Sequence, residues 1–135
     1  MPLITVYVRT GNTDEFTSEI AAGVQRAMID VLGLPDDDYF QVTHELAPAD
    51  MRYDPNFFGV ARGPNAVMIE LAFNARPAEV KQRLFEQVAD NLERSPGVAR
   101  ADLFMSIDER DPANWWAFAR TVDPETGTDS RMSSN

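Results

Sequence analysis

The chain has no cysteine and a single histidine, His44, among its 135 residues. The first absence excludes a disulfide framework and any thiolate metal site, and the second argues against a histidine-rich metal centre. Basic charge is also scarce: 12 Lys and Arg stand against 22 Asp and Glu, for a net charge of −10. Nucleic acids and anionic membranes need a basic face, so neither is expected as a partner. A small anionic substrate needs only one or two placed arginines and stays open. No run of 18 apolar residues is long enough to span a bilayer, and the amino terminus lacks a charged stretch followed by an apolar one. The expectation is a cytoplasmic protein with one domain, long enough to build a core unaided.

What is present begins at the first two residues. Pro2 follows Met1 and heads the apolar, β-branched run 3–8 (LITVYV). An initiator methionine before so small a residue is normally removed, which would leave Pro2 with a free secondary amine. That group is rigid, nucleophilic and able to titrate near neutrality when its surroundings perturb it.

A β-α-β order then occurs twice. After the first strand come a turn at Gly11-Asn12, a cap at Asn12 or Thr13, and acids at Asp14 and Glu15, where the helix dipole favours them. Ile20, Val24, Met28 and Val31 form a helical stripe ending at Gly33, and 39–44 (YFQVTH) reads as a second strand. In the later half, 66–73 (AVMIELAF) reads as a strand and Pro77 suits the first helical position. Val80, Leu84, Val88 and Leu92 keep i,i+4 spacing up to Gly97, and 102–107 (DLFMSI) reads as the last strand. A shift of 64 residues superposes Ile4 on Met68, Ile20 on Leu84 and Gly33 on Gly97. The chain therefore divides into a unit at about 2–45, a connection at 46–65, a second unit at about 66–109 and a C-terminal segment at 110–135. Within that segment, 126–135 reads as frayed. The same order fits a ferredoxin-like βαββαβ domain, a common non-catalytic binding scaffold, and periodicity does not separate the two.

A proline at the amino end of a doubled β-α-β unit resembles the tautomerase superfamily. Gly33-Leu34-Pro35 followed by DDDYFQV (36–42), Ala75-Arg76-Pro77 and Asn114-Trp115 resemble its malonate semialdehyde decarboxylase branch. The resemblance implies an α+β fold: two tandem β-α-β units forming a four-stranded sheet with two helices on one face, and three chains closing into a homotrimer. It implies an enzyme without cofactor or metal, acting on a small-molecule carboxylate. In that topology Asp38, before strand two, and Arg76, after strand three, come to the same end of the sheet as Pro2. Pro2 and Asp38 are then the catalytic candidates. Arg76 is the candidate clamp for a substrate carboxylate, and Trp115 matches the family's aromatic wall.

The charge of Asp38 would favour a protonated Pro2 by about 3 kcal/mol at roughly 6 Å and an effective dielectric near 20. Burial and Arg76 would oppose it. A neutral amine serves as the base in keto–enol tautomerisation of a 2-oxo acid. A protonated one polarises a carbonyl for decarboxylation or hydration of a 3-oxo acid, with Asp38 activating water. The decarboxylase branch typically carries a second arginine two residues after the first; here that position is Ala78, which favours the tautomerase. Arg62, Arg120 and Arg9 are the other cations that could take its place. His44 is assigned no role.

Overall fold

The computed structural model describes residues 1–132. Strand β1 (Leu3–Arg9) is followed by helix α1 (Asp14–Leu32) and strand β2 (Gln41–Leu46). Strand β3 (Val67–Asn74), helix α2 (Ala78–Arg94) and strand β4 (Leu103–Arg110) repeat the order. A short hairpin, β5 (Trp116–Ala117) and β6 (Arg120–Thr121), follows.

The sheet order is β2-β1-β3-β4, with β1 parallel to β2, β3 parallel to β4 and the central pair antiparallel. Each β-α-β crossover thus joins adjacent strands. A split β-α-β would place another strand between them, so the ferredoxin-like arrangement is excluded as the fold.

Apolar periodicity explains which faces meet. Ile4, Val6 and Val8 of β1 and Val67, Ile69, Leu71 and Phe73 of β3 point to one side, against Ile20, Val24, Met28, Leu84, Val88 and Leu92 of the helices. Burying each such side chain contributes roughly 1.5–3 kcal/mol, before the opposing loss of chain entropy. Where the helices cross, a β-carbon on Gly23 would stand 2.8 Å from Leu92 Cδ2, and Asn91 Nδ2 donates to Gly23 O at 2.9 Å. The helices therefore pack backbone to side chain at that point.

Thr13 caps α1, its hydroxyl accepting from Phe16 N at 3.1 Å, and Gly33 ends it in the left-handed region with its N–H on Ile29 O. Pro77 stands one residue earlier than expected, as the N-cap of α2 rather than its first helical residue. The 64-residue repeat holds for the helices and for β2 on β4, where inward Gln41 falls on inward Met105, but not for β1 on β3. It places inward-facing Ile4 on Met68, whereas the inward residues of β3 are Val67 and Ile69. Because side chains alternate along a strand, this one-residue slip moves the superposed set to the other face.

The tail is also more ordered than expected over 126–132. Gly127 N donates to Asp123 O at 2.8 Å, Asp123 N to Thr128 O at 2.9 Å and Met132 N to Asp129 O at 3.0 Å. The rest of the expected frayed end, 133–135, lies outside the described residues. No helix of the described residues is long and apolar enough to cross a membrane.

Candidate active site

The chain's amino end meets the turn between α1 and β2. Ile4 N donates to Phe40 O at 3.0 Å as β1 and β2 begin their parallel ladder, which sets Pro2 beside residues 38–40. That turn is held from both sides. Asp38 N donates to Pro35 O at 3.1 Å, and the buried Gln25 of α1 donates from Nε2 to Asp38 O at 3.1 Å. Asp38 is consequently held in place by its backbone and is only 7% exposed.

Asp38 Oδ2 is buried without a hydrogen-bond partner and lies 3.5 Å from the Met1 ammonium, an ion pair rather than a hydrogen bond. Burial pushes the Asp38 carboxyl above its ordinary range, against the opposing pull of the ammonium, and Asp37 adds to the rise. A buried carboxylate is thus aimed at the one amine that the chain's own end supplies.

Around this pair the surroundings are apolar. Pro2 is buried, and the Met1 side chain packs on Trp115, Ala117 and Val122. Two adjoining cavities share Met1, Phe40, Ala117 and Phe118. One, of about 290 Å³, also contains Asp38 and Arg131; the other, of about 370 Å³, contains Pro2, Trp115 and Trp116. Trp115 is 8% exposed, and its Nε1 donates to Asn74 Oδ1 at 2.7 Å. The Arg110 guanidinium stands over its ring at 5.1 Å. Phe118 packs tilted against Phe40 at 5.4 Å between ring centres. Pro2, Asp38 and Trp115 are therefore brought to one depression.

Arg76 reaches the same end of the sheet but is not among the residues lining either cavity. Because β3 runs antiparallel to β1, with Leu3 opposite Ala72, its exit returns beside Pro2. Arg76 Nη1 donates to Asn74 O at 2.8 Å and Ala75 O at 3.2 Å, and its backbone N–H donates to Glu109 Oε2 at 2.8 Å. That N–H and Lys81 hold the Glu109 carboxyl below its usual range. The Arg76 guanidinium forms no ion pair among the described residues. It stands over the Phe73 ring at 5.8 Å, and its charge helps lower Glu109.

The other arginines separate by position. Arg9 is spent on Met51 O and Pro64 O at the far end of β1, and Arg62 on the carbonyls of Asp54 and Phe57. Arg120 does come close, paired through Nη2 with Asp129 Oδ1 at 2.8 Å, and Asp129 lines the smaller cavity. Arg131, Asp129, Asn74 and Arg110 also belong to this end, and none was singled out from the sequence. Hydrogen bonds from Arg120 and then Arg131 hold the Asp129 carboxyl far below its ordinary range. The tail has no apolar period, and its pairing depends on a two-residue hairpin that no spacing announces. His44 sits within β2, its ring stacked on Tyr7 at 5.3 Å, away from the site. Among the described residues no group of three or more His, Asp or Glu is placed to hold a metal ion.

Comparison with known proteins agrees with this geometry. Two family models, each described as tautomerase enzyme, match residues 2–61 and 38–118. The probable tautomerases YrdN and YusQ of Bacillus subtilis (strain 168) are 28% and 25% identical to it. Each alignment covers 85% of this chain, with 89% of YrdN and 91% of YusQ. The crystal structure of FG41 malonate semialdehyde decarboxylase inhibited by 3-bromopropiolate superposes with a TM-score of 0.82 at 30% identity, covering 88% of this chain and 92% of that one. A native fused 4-OT shares the fold alone, at 16% identity and a TM-score of 0.75, over 88% of this chain and 94% of its own. With its doubled β-α-β sheet and these matches, the chain belongs to the tautomerase superfamily, in a branch similar to malonate semialdehyde decarboxylase.

Proposed function

We propose that, with Met1 removed, the secondary amine of Pro2 catalyses keto–enol tautomerisation of a small 2-oxo acid. The observation that carries this reading is the buried carboxylate of Asp38, 3.5 Å from the chain's terminal ammonium and set in an apolar depression. A carboxylate in such surroundings is costly unless a cation faces it, and here the facing cation is the terminal amine itself. Removing Met1 would also vacate the space its side chain fills against Trp115 and Ala117.

In this mechanism Pro2 takes the enol proton and returns one to carbon, acting within about 3 Å of both atoms. Asp38 keeps the amine basic enough to accept the proton. The rim position of Arg76 supports a role in holding the substrate carboxylate through paired hydrogen bonds, and Trp115 walls the reacting carbons away from water. No cofactor takes part.

One observation favours a second reading. Asp38 also favours a protonated amine, and the FG41 malonate semialdehyde decarboxylase is a 30% identical relative. Decarboxylation or hydration of a 3-oxo acid, with Asp38 activating water, uses that form. Measuring 2-hydroxymuconate ketonisation and malonate semialdehyde decarboxylation side by side separates the two. A kcat/KM higher for the ketonisation is expected, and the reverse order would establish the decarboxylase.

The sheet face away from the helices supports a homotrimer. Leu3, Val42 and Phe104 stand exposed on it or at its edges, with Phe57 and Phe58 nearby at 61% and 86% exposure. Apolar surface of that kind is ordinarily covered by another chain. Sedimentation equilibrium is expected to give three times the chain mass, and a stable monomer at micromolar concentration would overturn it.

A further inference from the structure

The segment 115–132 contains an unusual turn. Phe118 and Ala119 are consecutive non-glycine residues with φ of +53° and +89°. Side chains are disfavoured in that region, and two in succession persist only where surrounding contacts over-determine them. The β5–β6 hairpin supplies some of them, pairing Ala117 with Arg120 around this two-residue loop, and one side chain supplies more: Arg131 Nη2 donates to Ala117 O at 3.0 Å and Nη1 donates to Phe118 O. The guanidinium is in turn locked by Asp129, with Nε on Oδ1 at 2.6 Å and Nη2 on Oδ2 at 3.2 Å. Asp129 is gripped again by Arg120, through Nε at 3.0 Å and Nη2 at 2.8 Å, and its side chain is 8% exposed. Two arginines therefore share one nearly buried carboxylate, and the outcome is a fixed orientation for residues 117–119.

Ala117 and Phe118 line both cavities at the chain's amino end, and Ala119 lines the larger one. Phe118 is 68% exposed yet held against Phe40, so it stands as a free-edged wall and not as core. The Arg131 donors are largely spent on the turn and on Asp129, which makes this arginine a fastener and leaves Arg76, which has no ion pair within the described residues, as the candidate for the substrate carboxylate.

We propose that Asp129 and Arg131 are positioning residues: their clamp fixes the Ala117–Phe118 wall and so lets the pocket favour 2-oxo acids carrying an aryl or other bulky apolar group. This inference rests on the tautomerase reading of the same site. With the substrate carboxylate toward Arg76 and the reacting carbon at Pro2, the opposite end of the substrate lies against Phe40, Ala117 and Phe118. Releasing the clamp then costs most to substrates whose far end is apolar and packs on that wall, and less to one that ends in a second carboxylate.

The test compares phenylenolpyruvate with 2-hydroxymuconate, using wild type, Asp129→Asn and Arg131→Lys. Both variants are expected to raise KM for the aryl substrate about tenfold, with kcat little altered and the aliphatic substrate within about twofold of wild type. Tryptophan emission without substrate should shift to the red and be quenched more by acrylamide, since Trp115 and Trp116 adjoin the turn. Equal losses on both substrates, or no change with either, would overturn the clamp's role. A wild type inactive on both acids would instead overturn the tautomerase reading and this inference with it. Should Asp129→Asn fail to fold, Arg131→Lys, which keeps the charge but loses the fork, decides alone.

Discussion

The terminal nitrogen of Met1 lies 3.5 Å from Asp38 Oδ2, although the two residues are separated by a strand, a turn and a 19-residue helix. The parallel pairing of β1 with β2 produces this meeting, because both strands then begin at the same edge of the sheet. Removal of Met1 would bring the amine of Pro2 to the chain's beginning, beside the same turn.

Activity should accordingly depend on how the chain begins. Protein shown by intact mass to lack Met1 is expected to be active. A form that retains Met1, or carries an extension before it, should lose at least 10²-fold, since the proline nitrogen is then an amide. Pro2→Ala keeps a primary amine, so a fall within roughly 10²–10⁴ is expected rather than complete loss. Equal rates for the processed and extended proteins would remove Pro2 from the mechanism.

Asp38→Asn should separate stability from activity. The folded carboxyl titrates above its unfolded value, because burial outweighs the nearby ammonium. Between those two values the folded protein keeps a proton that the unfolded chain has released. Stability therefore falls as pH rises through that interval, and the deficit persists at neutral pH. Asparagine removes the charge and keeps the shape, so Tm at pH 7 should rise by about 2–5 °C, as for roughly 1 kcal/mol. The Pro2 amine, without its carboxylate, should titrate lower and carry the basic limb of tautomerase activity to lower pH. Calorimetry and a pH–rate profile check both signs, and a lower Tm with an unmoved profile would refute the coupling.

Helices were legible in the sequence because they carry strong i,i+4 stripes and ordinary caps at Thr13 and Gly33. Strand two was read two residues early at each end. Tyr39 and Phe40 are apolar enough to continue a strand, yet the regular register with β1 begins only at Gln41, just after Phe40 O accepts from Ile4 N. The internal repeat was legible in order but slipped by one residue between β1 and β3, where a slip changes the face. Placing Arg76 at the Pro2 end followed from topology. Its actual station on the rim did not, because that is set by local carbonyls of Asn74 and Ala75. The Asp129–Arg131 clamp left no periodic trace, since polar contacts in an aperiodic tail obey no spacing.

Arg76→Ala should weaken catalysis with carboxylate substrates while the fold survives. The side chain bonds nearby carbonyls, stands over the Phe73 ring at 5.8 Å and forms no ion pair among the described residues, so little stability rests on it. Losing a charge-assisted pair with substrate should cost about 2–3 kcal/mol in kcat/KM, roughly 30- to 150-fold. The loss is expected mainly in KM, with Tm within about 1–2 °C of wild type. An unchanged kcat/KM would return Arg76 to the surface.

Gly127→Ala tests how Trp115 is held. Gly127 has φ of +69°, and a β-carbon there would stand 2.1 Å from Asn74 Nδ2 and 3.1 Å from its Cγ. Asn74 must move to admit it, and its Oδ1 is the acceptor for Trp115 Nε1 at 2.7 Å. One methyl group should therefore act across three residues: backbone strain at 127, displacement of Asn74, and loss of the bond that orients the indole. The strain and the lost bond together should cost about 2–4 kcal/mol. Gly11→Ala supplies the control, because Gly11 also has positive φ, at +105°, but no atom lies within 4 Å of its added β-carbon. That variant carries the backbone penalty without the displacement. Thermal unfolding with tryptophan emission distinguishes the two. Gly127→Ala should lower Tm further and shift the emission, whereas Gly11→Ala should lower Tm and leave the emission unchanged. Identical emission in both variants would mean that Asn74 does not set the position of Trp115.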